Sequence, residues 1–323
     1  MRSARTVFLG SGAFAVPILA ALSDHPLVEL AALVTAPRRP GSRGRPTDTP
    51  VAEWAAHHGV PAVRPERLRD SAAIAQIDAF APELLVLADY GQIVPRALLD
   101  LPRHGALNLH PSLLPRHRGA SPIAAAILAG DRETGVSLMQ MDAGLDSGPI
   151  IAQRKFPLTG LENAPQLEHD LARLAAELLS AELEPWLAGE VVARPQATNG
   201  VSLTRPLRRA DGLLDPTRDA ASLERQVRAY QPWPGSHLET AAGRLVVWTA
   251  RPIGGSWSDV VGVLVGLPDG GLAVTVGDGP LELVEVQPAG GRRMSGAELL
   301  RGRPWLIGTA VNPPTPADGG PYR

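Results

Sequence analysis

Apolar residues in the first half of the chain gather in short runs. Thr6–Leu9, Val28–Val34, Leu84–Ala88, Ala106–His110 and Val136–Met141 each have the length and composition of a strand, and helical patterns lie between them. That alternation predicts a parallel sheet with helices on both faces. In such sheets ligands bind at the carboxyl ends of the strands, where Asn108, His110 and the segment from Asp142 to Asp146 fall. Ser121 followed by Pro122 reads as the cap and first residue of a helix that Gly130 stops. Its dipole would add positive potential beside the loop that follows His110. Asn163-Ala164-Pro165-Gln166 opens a longer helix carrying Leu167, Leu171, Leu174 and Leu178, with Pro185 and Gly189 to end it.

After this helix the pattern changes. Residues 190–205 are polar and irregular, contain Pro195, Asn199 and Gly200, and read as a linker. Beyond lie one helix around Leu223–Tyr230 and short β-rich runs at Arg244–Thr249, Gly262–Gly266, Leu272–Val276 and Leu281–Val286, with glycine-containing turns between them. Such spacing predicts a small β-barrel. The expected organisation is an α/β domain over residues 1–189, the linker 190–205, a barrel domain over 206–310 and a mobile Pro/Gly-rich tail over 311–323.

Composition removes several classes of chemistry. The 323 residues include no cysteine, so disulfides, thiol nucleophiles and thiolate-bound zinc are excluded. No apolar run approaches the roughly 18 residues of a membrane span, and no signal peptide is evident, so the expected setting is the cytoplasm, away from membranes. Lys155 is the single lysine, and the formal net charge is −2. From Arg205 onward 13 arginines stand against 12 acids, so a nucleic-acid contact there would have to rest on how the charges are arranged.

The candidate chemistry lies in two segments. Asn108 and His110 are two residues apart on an extended strand and so share a face, and Asp146 follows in a polar loop. An amide N–H and a protonated imidazole both donate hydrogen bonds, and a neighbouring carboxylate favours the charged imidazole. Together they can hold an oxyanion during transfer to an amine, with no covalent enzyme adduct. The plainer alternative is a satisfied core histidine beside an Asp-rich turn. A rival site is the turn Gly10-Ser11-Gly12-Ala13-Phe14-Ala15, which matches a dinucleotide-binding pattern. Against it, Ala31–Pro37 offers no acid for the ribose; a phosphorylated dinucleotide held by Arg38 and Arg39 escapes that objection.

Asn108, His110 and Asp146, with Ser112-Leu113-Leu114-Pro115, Arg118-Gly119 and the run Thr134–Asp142, resemble the signature of the folate-dependent formyltransferases. Within that superfamily the methionyl-tRNA formyltransferases are most similar, through Pro195-Gln196, Gln231-Pro232-Trp233-Pro234-Gly235 and the run Gln287–Ser295. The resemblance implies a Rossmann-like parallel-sheet formyltransferase domain followed by an OB-like barrel that binds tRNA, working as a monomer. It implies transfer of formyl from 10-formyltetrahydrofolate to the methionine amino group of initiator methionyl-tRNA, without a metal.

On this reading Asn108 and His110 stabilise the oxyanion, while Asp146 orients His110, raises its pKa and takes up a proton. The folate would lie against Ser112, Leu113, Leu114 and Pro115, with its pteridine near Tyr90, Gly91 and Asp142. The tRNA would meet Arg38, Arg39, Arg43 and Arg45, four arginines in a Pro/Gly loop without an acid, together with Arg208 and Arg292. The chain departs from the family at Ser11-Gly12-Ala13, where a Thr-Pro-Asp type turn is usual, and no role is carried over to that turn. A nucleotide-sugar formyltransferase shares the two-domain plan and the donor. A glycinamide ribonucleotide formyltransferase would leave residues 206–310 unexplained, and a non-catalytic folate- or RNA-binding module would not need the intact trio.

Overall fold

A computed structural model describes residues 2–40, 46–254 and 260–312. Arg43, Arg45 and the tail beyond Asn312 lie outside the described residues, as does the side chain of Arg39. The chain divides into two compact units, one of Met1–Ala126, Arg132–Thr159 and Gln166–Pro206, the other of Ile127–Asp131, Gly160–Pro165 and Leu207–Arg323.

The first unit is built on a seven-stranded sheet in the order Ile150–Pro157, Glu133–Gln140, Ala106–His110, Leu84–Ala88, Ala4–Gly10, Val28–Val34, Ala62–Val63. Pairing is parallel from Ala106–His110 to Ala62–Val63, and these strands bury Val7, Leu9, Leu85, Leu107 and Leu109 almost completely. The sheet differs from expectation at one edge. Glu133–Gln140 runs antiparallel to Ala106–His110, with Leu107 opposite Gln140 and His110 opposite Ser137, and forms a hairpin with the unanticipated strand Ile150–Pro157. Apolar periodicity reports that a strand exists and carries no record of its direction. The consequence is that the chain after Gln140 leaves the sheet at the level where Ala106–His110 begins, not where it ends. The loop must therefore fold back for Asp146 to reach His110.

The long helix runs Ala164–Leu187, burying Leu167, Leu171, Leu178 and Leu183. Pro185 lies within its last turn, where the missing N–H costs one ladder bond, and the chain turns off at Gly189 with φ +73°. The Ser121 hydroxyl donates to the Arg205 carbonyl at 2.9 Å. Much of the segment read as a linker lies along this first unit: Arg194 exchanges backbone bonds with Ile150, and Leu203–Thr204 pairs with Arg118–Gly119.

In the second unit the strands Leu264–Gly266, Leu272–Val276, Gly279–Pro288, Gly243–Pro252, Ser236–Thr240 and Val311–Asn312 follow one another across an antiparallel sheet. Its edges meet, since Leu264 N donates to Thr309 O at 2.9 Å and Val311 N to Gly262 O at 2.8 Å, giving the expected barrel. Its core holds Leu223, Leu245, Val274, Leu281, Leu283 and Leu299. The helix Ala220–Ala229 is capped by Asp219, which accepts from Ser222 N at 2.7 Å.

Candidate active site

The strand Ala106–His110 sets Asn108 and His110 on one face, as the two-residue spacing requires. Asn108 is half-buried and His110 is 4% exposed. His110 Nε2 lies 2.9 Å from the His117 carbonyl. A carbonyl only accepts, so Nε2 carries the proton and Nδ1 presents its lone pair when the ring is neutral. That nitrogen faces Asp146 Oδ2 at 3.6 Å. Asn108 Nδ2 donates to Asp146 Oδ1 at 3.4 Å, and Gly119 N donates to Asp146 Oδ2 at 2.8 Å. The amide, the imidazole and one backbone N–H thus converge on a single carboxylate. The sequence-predicted trio comes together.

Asp146 is held from behind by a residue the sequence reading assigned no role. Gln196 Nε2 donates to Asp146 O at 2.7 Å and to Gly148 O at 2.8 Å, while Gln196 Oε1 accepts from Arg118 at 2.6 and 3.0 Å. Those bonds fix the returning loop and the positive φ of +46° at Asp146. Gln196 sits in the polar stretch, and its one signal in the sequence is the Pro195-Gln196 pair that carries part of the family resemblance.

The loop after His110 is pinned in the same way. Ser112 N donates to His110 O at 2.8 Å, closing a tight turn, and the Ser112 hydroxyl donates to Arg116 O at 2.6 Å. Ser137 Oγ donates to Ser112 O at 2.7 Å and accepts from Leu114 N at 3.0 Å. Ser112 is fully buried and Leu114 is 4% exposed. Of the four proposed folate contacts here, Leu113 and Pro115 therefore keep partly accessible side chains, while Ser112 and Leu114 serve mainly to shape the loop. Asp142 is exposed at its carboxylate and accepts from Gly144 N and the Ser147 hydroxyl at 2.9 and 3.0 Å. Tyr90, after the strand Leu84–Ala88, and Met141, before the Asp142 loop, each pack against the apolar cluster that includes Val7, Leu9 and Leu85. The Tyr90 hydroxyl is buried without a partner among the described residues, and burial pushes its pKa up to about 12.

Electrostatics correct one expectation. Burial pulls the His110 pKa below its ordinary value, and Asp146 opposes that pull without overcoming it. A neighbouring carboxylate was expected to dominate, but an enclosed imidazole loses more by desolvation. Enclosure therefore favours the neutral ring.

The glycine turn is not an open anion site. The Gly12 N–H is bonded to Asp89, and a Cβ on Gly12 would collide with the Asp89 carboxylate. Phe14 N donates to Glu168 Oε1 at 3.1 Å. Both carboxyls are held above their usual range: Asp89 by burial of its carboxyl group, although the residue's outer surface is open to solvent, and Glu168 by burial and then by the Asp89 charge. Two protein carboxylates thus take backbone donors that a dinucleotide phosphate would need. Ser11 Oγ accepts from Ala36 N at 3.1 Å and ties this turn to the start of the arginine loop.

That loop also departs from its expected character. Arg38 is bidentate to Asp48, at 2.9 Å to each oxygen, and Arg64 pairs with the same carboxylate. Asp48 lies two residues past the stretch read as acid-free. In the second unit Arg208 is exposed, and Arg292 lies 3.7 Å from Glu298. Among the described residues no group of three or more His, Asp or Glu could hold a metal, and no helix is long and apolar enough to cross a membrane.

Residues 4–183 match the family model described as formyl transferase, and residues 206–304 match that of the formyl transferase C-terminal domain. A methionyl-tRNA formyltransferase of Halorhodospira halophila is 45% identical over 96% of this chain and 99% of its own length. One of Thermus thermophilus is 43% identical over 95% and 99%. Among solved structures, HypX from Aquifex aeolicus in complex with tetrahydrofolic acid aligns with a TM-score of 0.63 at 18% identity, covering 99% of this chain. This chain spans only 51% of HypX. An N-formyltransferase from Helicobacter canadensis, in complex with folinic acid and dTDP-3-aminofucose, aligns with a TM-score of 0.62 at 15% identity, covering 88% and 99%. At these identities the two structures share the fold.

Proposed function

Because the chain belongs to the methionyl-tRNA formyltransferase family, we propose that it formylates the methionine amino group of initiator methionyl-tRNA, with 10-formyltetrahydrofolate as donor. The single observation that carries this reading is that two N–H donors, Asn108 Nδ2 and Gly119 N, and the lone pair of His110 Nδ1 converge on the Asp146 carboxylate. N–H donors are what an oxygen acquiring negative charge requires, and the imidazole lone pair beside them supplies a proton acceptor. The groups left over fit a bound donor: the partnerless buried Tyr90 hydroxyl and the loosely held Asn108 amide can both accept new partners. The folate supplies the formyl group.

The neutral methionyl amine adds its lone pair to the formyl carbon, and charge develops on the formyl oxygen. Asn108 Nδ2 donates to that oxygen. The attacking nitrogen must lose a proton, and His110 Nδ1, unprotonated in the resting ring, accepts it. The imidazolium formed this way faces Asp146, whose carboxylate stabilises it at the moment the charge appears. The same proton then passes to the departing folate nitrogen, so His110 and Asp146 end unchanged. The His117 carbonyl holds the ring orientation throughout. The arginines Arg38, Arg39, Arg43 and Arg45 contact phosphates of the tRNA; for Arg38 a phosphate must displace Asp48.

The test is to incubate the protein with 10-formyltetrahydrofolate and charged initiator tRNA. Formylmethionyl-tRNA is the expected product. Its absence, together with formylation of a nucleotide-linked amino sugar, would overturn the acceptor assignment.

A further inference from the structure

Two of the segments that carry the family resemblance, Gln231–Gly235 and Gln287–Ser295, have no part in the site described above. In the second unit they meet at Trp248. Gln231 Nε2 donates to Trp248 O at 2.7 Å, Trp248 Nε1 donates to Gln287 Oε1 at 3.1 Å, and the Arg293 guanidinium lies 3.3 Å from the centre of the Trp248 ring. The indole is thus locked at its backbone, its edge and one face.

Beside it is a cleft of about 230 Å³ lined by Arg209, Trp233, His237, Arg244 and Trp248. The Trp233 indole is 51% exposed and makes no hydrogen bond or ring contact among the described residues. The Arg209 guanidinium is exposed and has no ion pair among them. None of the described residues lining the cleft is an acid, and Glu239 is already taken by Arg244 at 2.6 Å, with His237 Nε2 at 3.7 Å. The uncompensated charge of the cleft is therefore positive, and its free surface is an aromatic face.

We propose that this cleft holds an unpaired nucleotide of the RNA substrate, its base stacked on Trp233 and its phosphate paired with Arg209. The inference rests on the reading that the protein acts on tRNA. Two features select this occupant. An indole face stacks on any base, and a neighbouring arginine tracks the phosphate, which is the usual construction of a single-strand site. The cleft is also smaller than the roughly 300–1,000 Å³ of a pocket for a drug-sized ligand, so one base suits it and a whole folate does not. A proline-rich peptide also favours aromatic grooves, but such a ligand gains nothing from an unpaired arginine.

The test measures steady-state formylation of initiator methionyl-tRNA, and binding of a short single-stranded RNA and of a proline-rich peptide, by the full chain and by Trp233→Ala, Trp233→Phe and Arg209→Ala. Loss of one stacked base corresponds to roughly 5- to 150-fold, so Trp233→Ala should raise KM for the tRNA by that factor with kcat little changed. Trp233→Phe should restore most of the affinity, which a purely structural role would not predict for an exposed ring. Arg209→Ala should reduce the slope of log affinity against log salt by about one phosphate contact. An unchanged KM in Trp233→Ala, with the parent active on methionyl-tRNA, overturns the proposal. So does peptide binding that depends on Trp233 without any effect on RNA. If the parent does not formylate methionyl-tRNA, the functional reading fails separately; single-stranded RNA binding then decides the cleft, supporting it if Trp233→Ala weakens that binding and overturning it if not.

Discussion

The catalytic centre and the arginine loop are both polar, and they are built in opposite ways. At the catalytic centre His110 and Asp146 are enclosed and fixed through backbone groups, the His117 carbonyl on His110, the Gly119 N–H on Asp146, and Gln196 on the carbonyl of Asp146 itself, while Asn108 is half-buried and bonded to Asp146. At Arg38 the contact is an exposed side-chain pair with Asp48, which water and salt can exchange. An enclosed site of fixed donors needs no reorganisation as charge appears. An exposed ion pair that opens readily suits a large polyanion, which must be bound and then released. The first region should therefore govern the chemical step and the second should govern tRNA affinity alone.

The largest effects should be a fall in kcat of about 10²–10³ in Asn108→Ala, for loss of one oxyanion donor, and of about 10²–10⁴ in His110→Ala, for loss of the proton acceptor, with folate binding nearly unchanged in both. Because both act in the same step, the double variant should lose far less than the product of the two single losses. Single-turnover kinetics read this directly, and a variant with near-parental turnover would remove the distinction between the regions. Gln196→Ala comes next. It frees the Asp146 loop without touching the reactants, so about a tenfold loss in kcat is expected, roughly the worth of one or two hydrogen bonds to a constrained loop. A fall in KM alone, or no change, would show that the loop is fixed by other means.

The smallest effect on turnover belongs to the arginines. Replacing Arg38, Arg39, Arg43 and Arg45 together by Ala should weaken tRNA binding and flatten its salt dependence, because fewer counterions are released, while kcat at saturating tRNA stays within about twofold. Equal salt slopes in parent and variant would mean that the loop is a solvated connection and nothing more.

The same contrast explains what the sequence could show. The Asn108–His110 spacing, the parallel strands and the β-rich second half carry period and turn signals, and the structure reproduces them. The antiparallel edge does not show in a period, since Glu133–Gln140 would have the same pattern in either direction. Gln196 lies in a stretch with no regular structure, and its role depends on a fold that brings residue 196 to residue 146. The lowered His110 pKa was missed for a related reason: composition shows that an acid is present, whereas desolvation depends on how completely the ring is enclosed. Asp48 stands two positions beyond the arginine-rich run, which by itself reads as free of acids.

The central claim is that a buried, neutral His110 receives the transferred proton on Nδ1 and is stabilised there by Asp146. The most direct measurement is the NMR titration of the His110 ring in the parent and in Asp146→Asn. The parent ring should titrate below the ordinary histidine value of about 6.5, with the proton on Nε2 in the neutral form. In Asp146→Asn, where the shape is kept and the charge is lost, the titration should move lower still. A His110 titration identical in the two proteins would contradict the account.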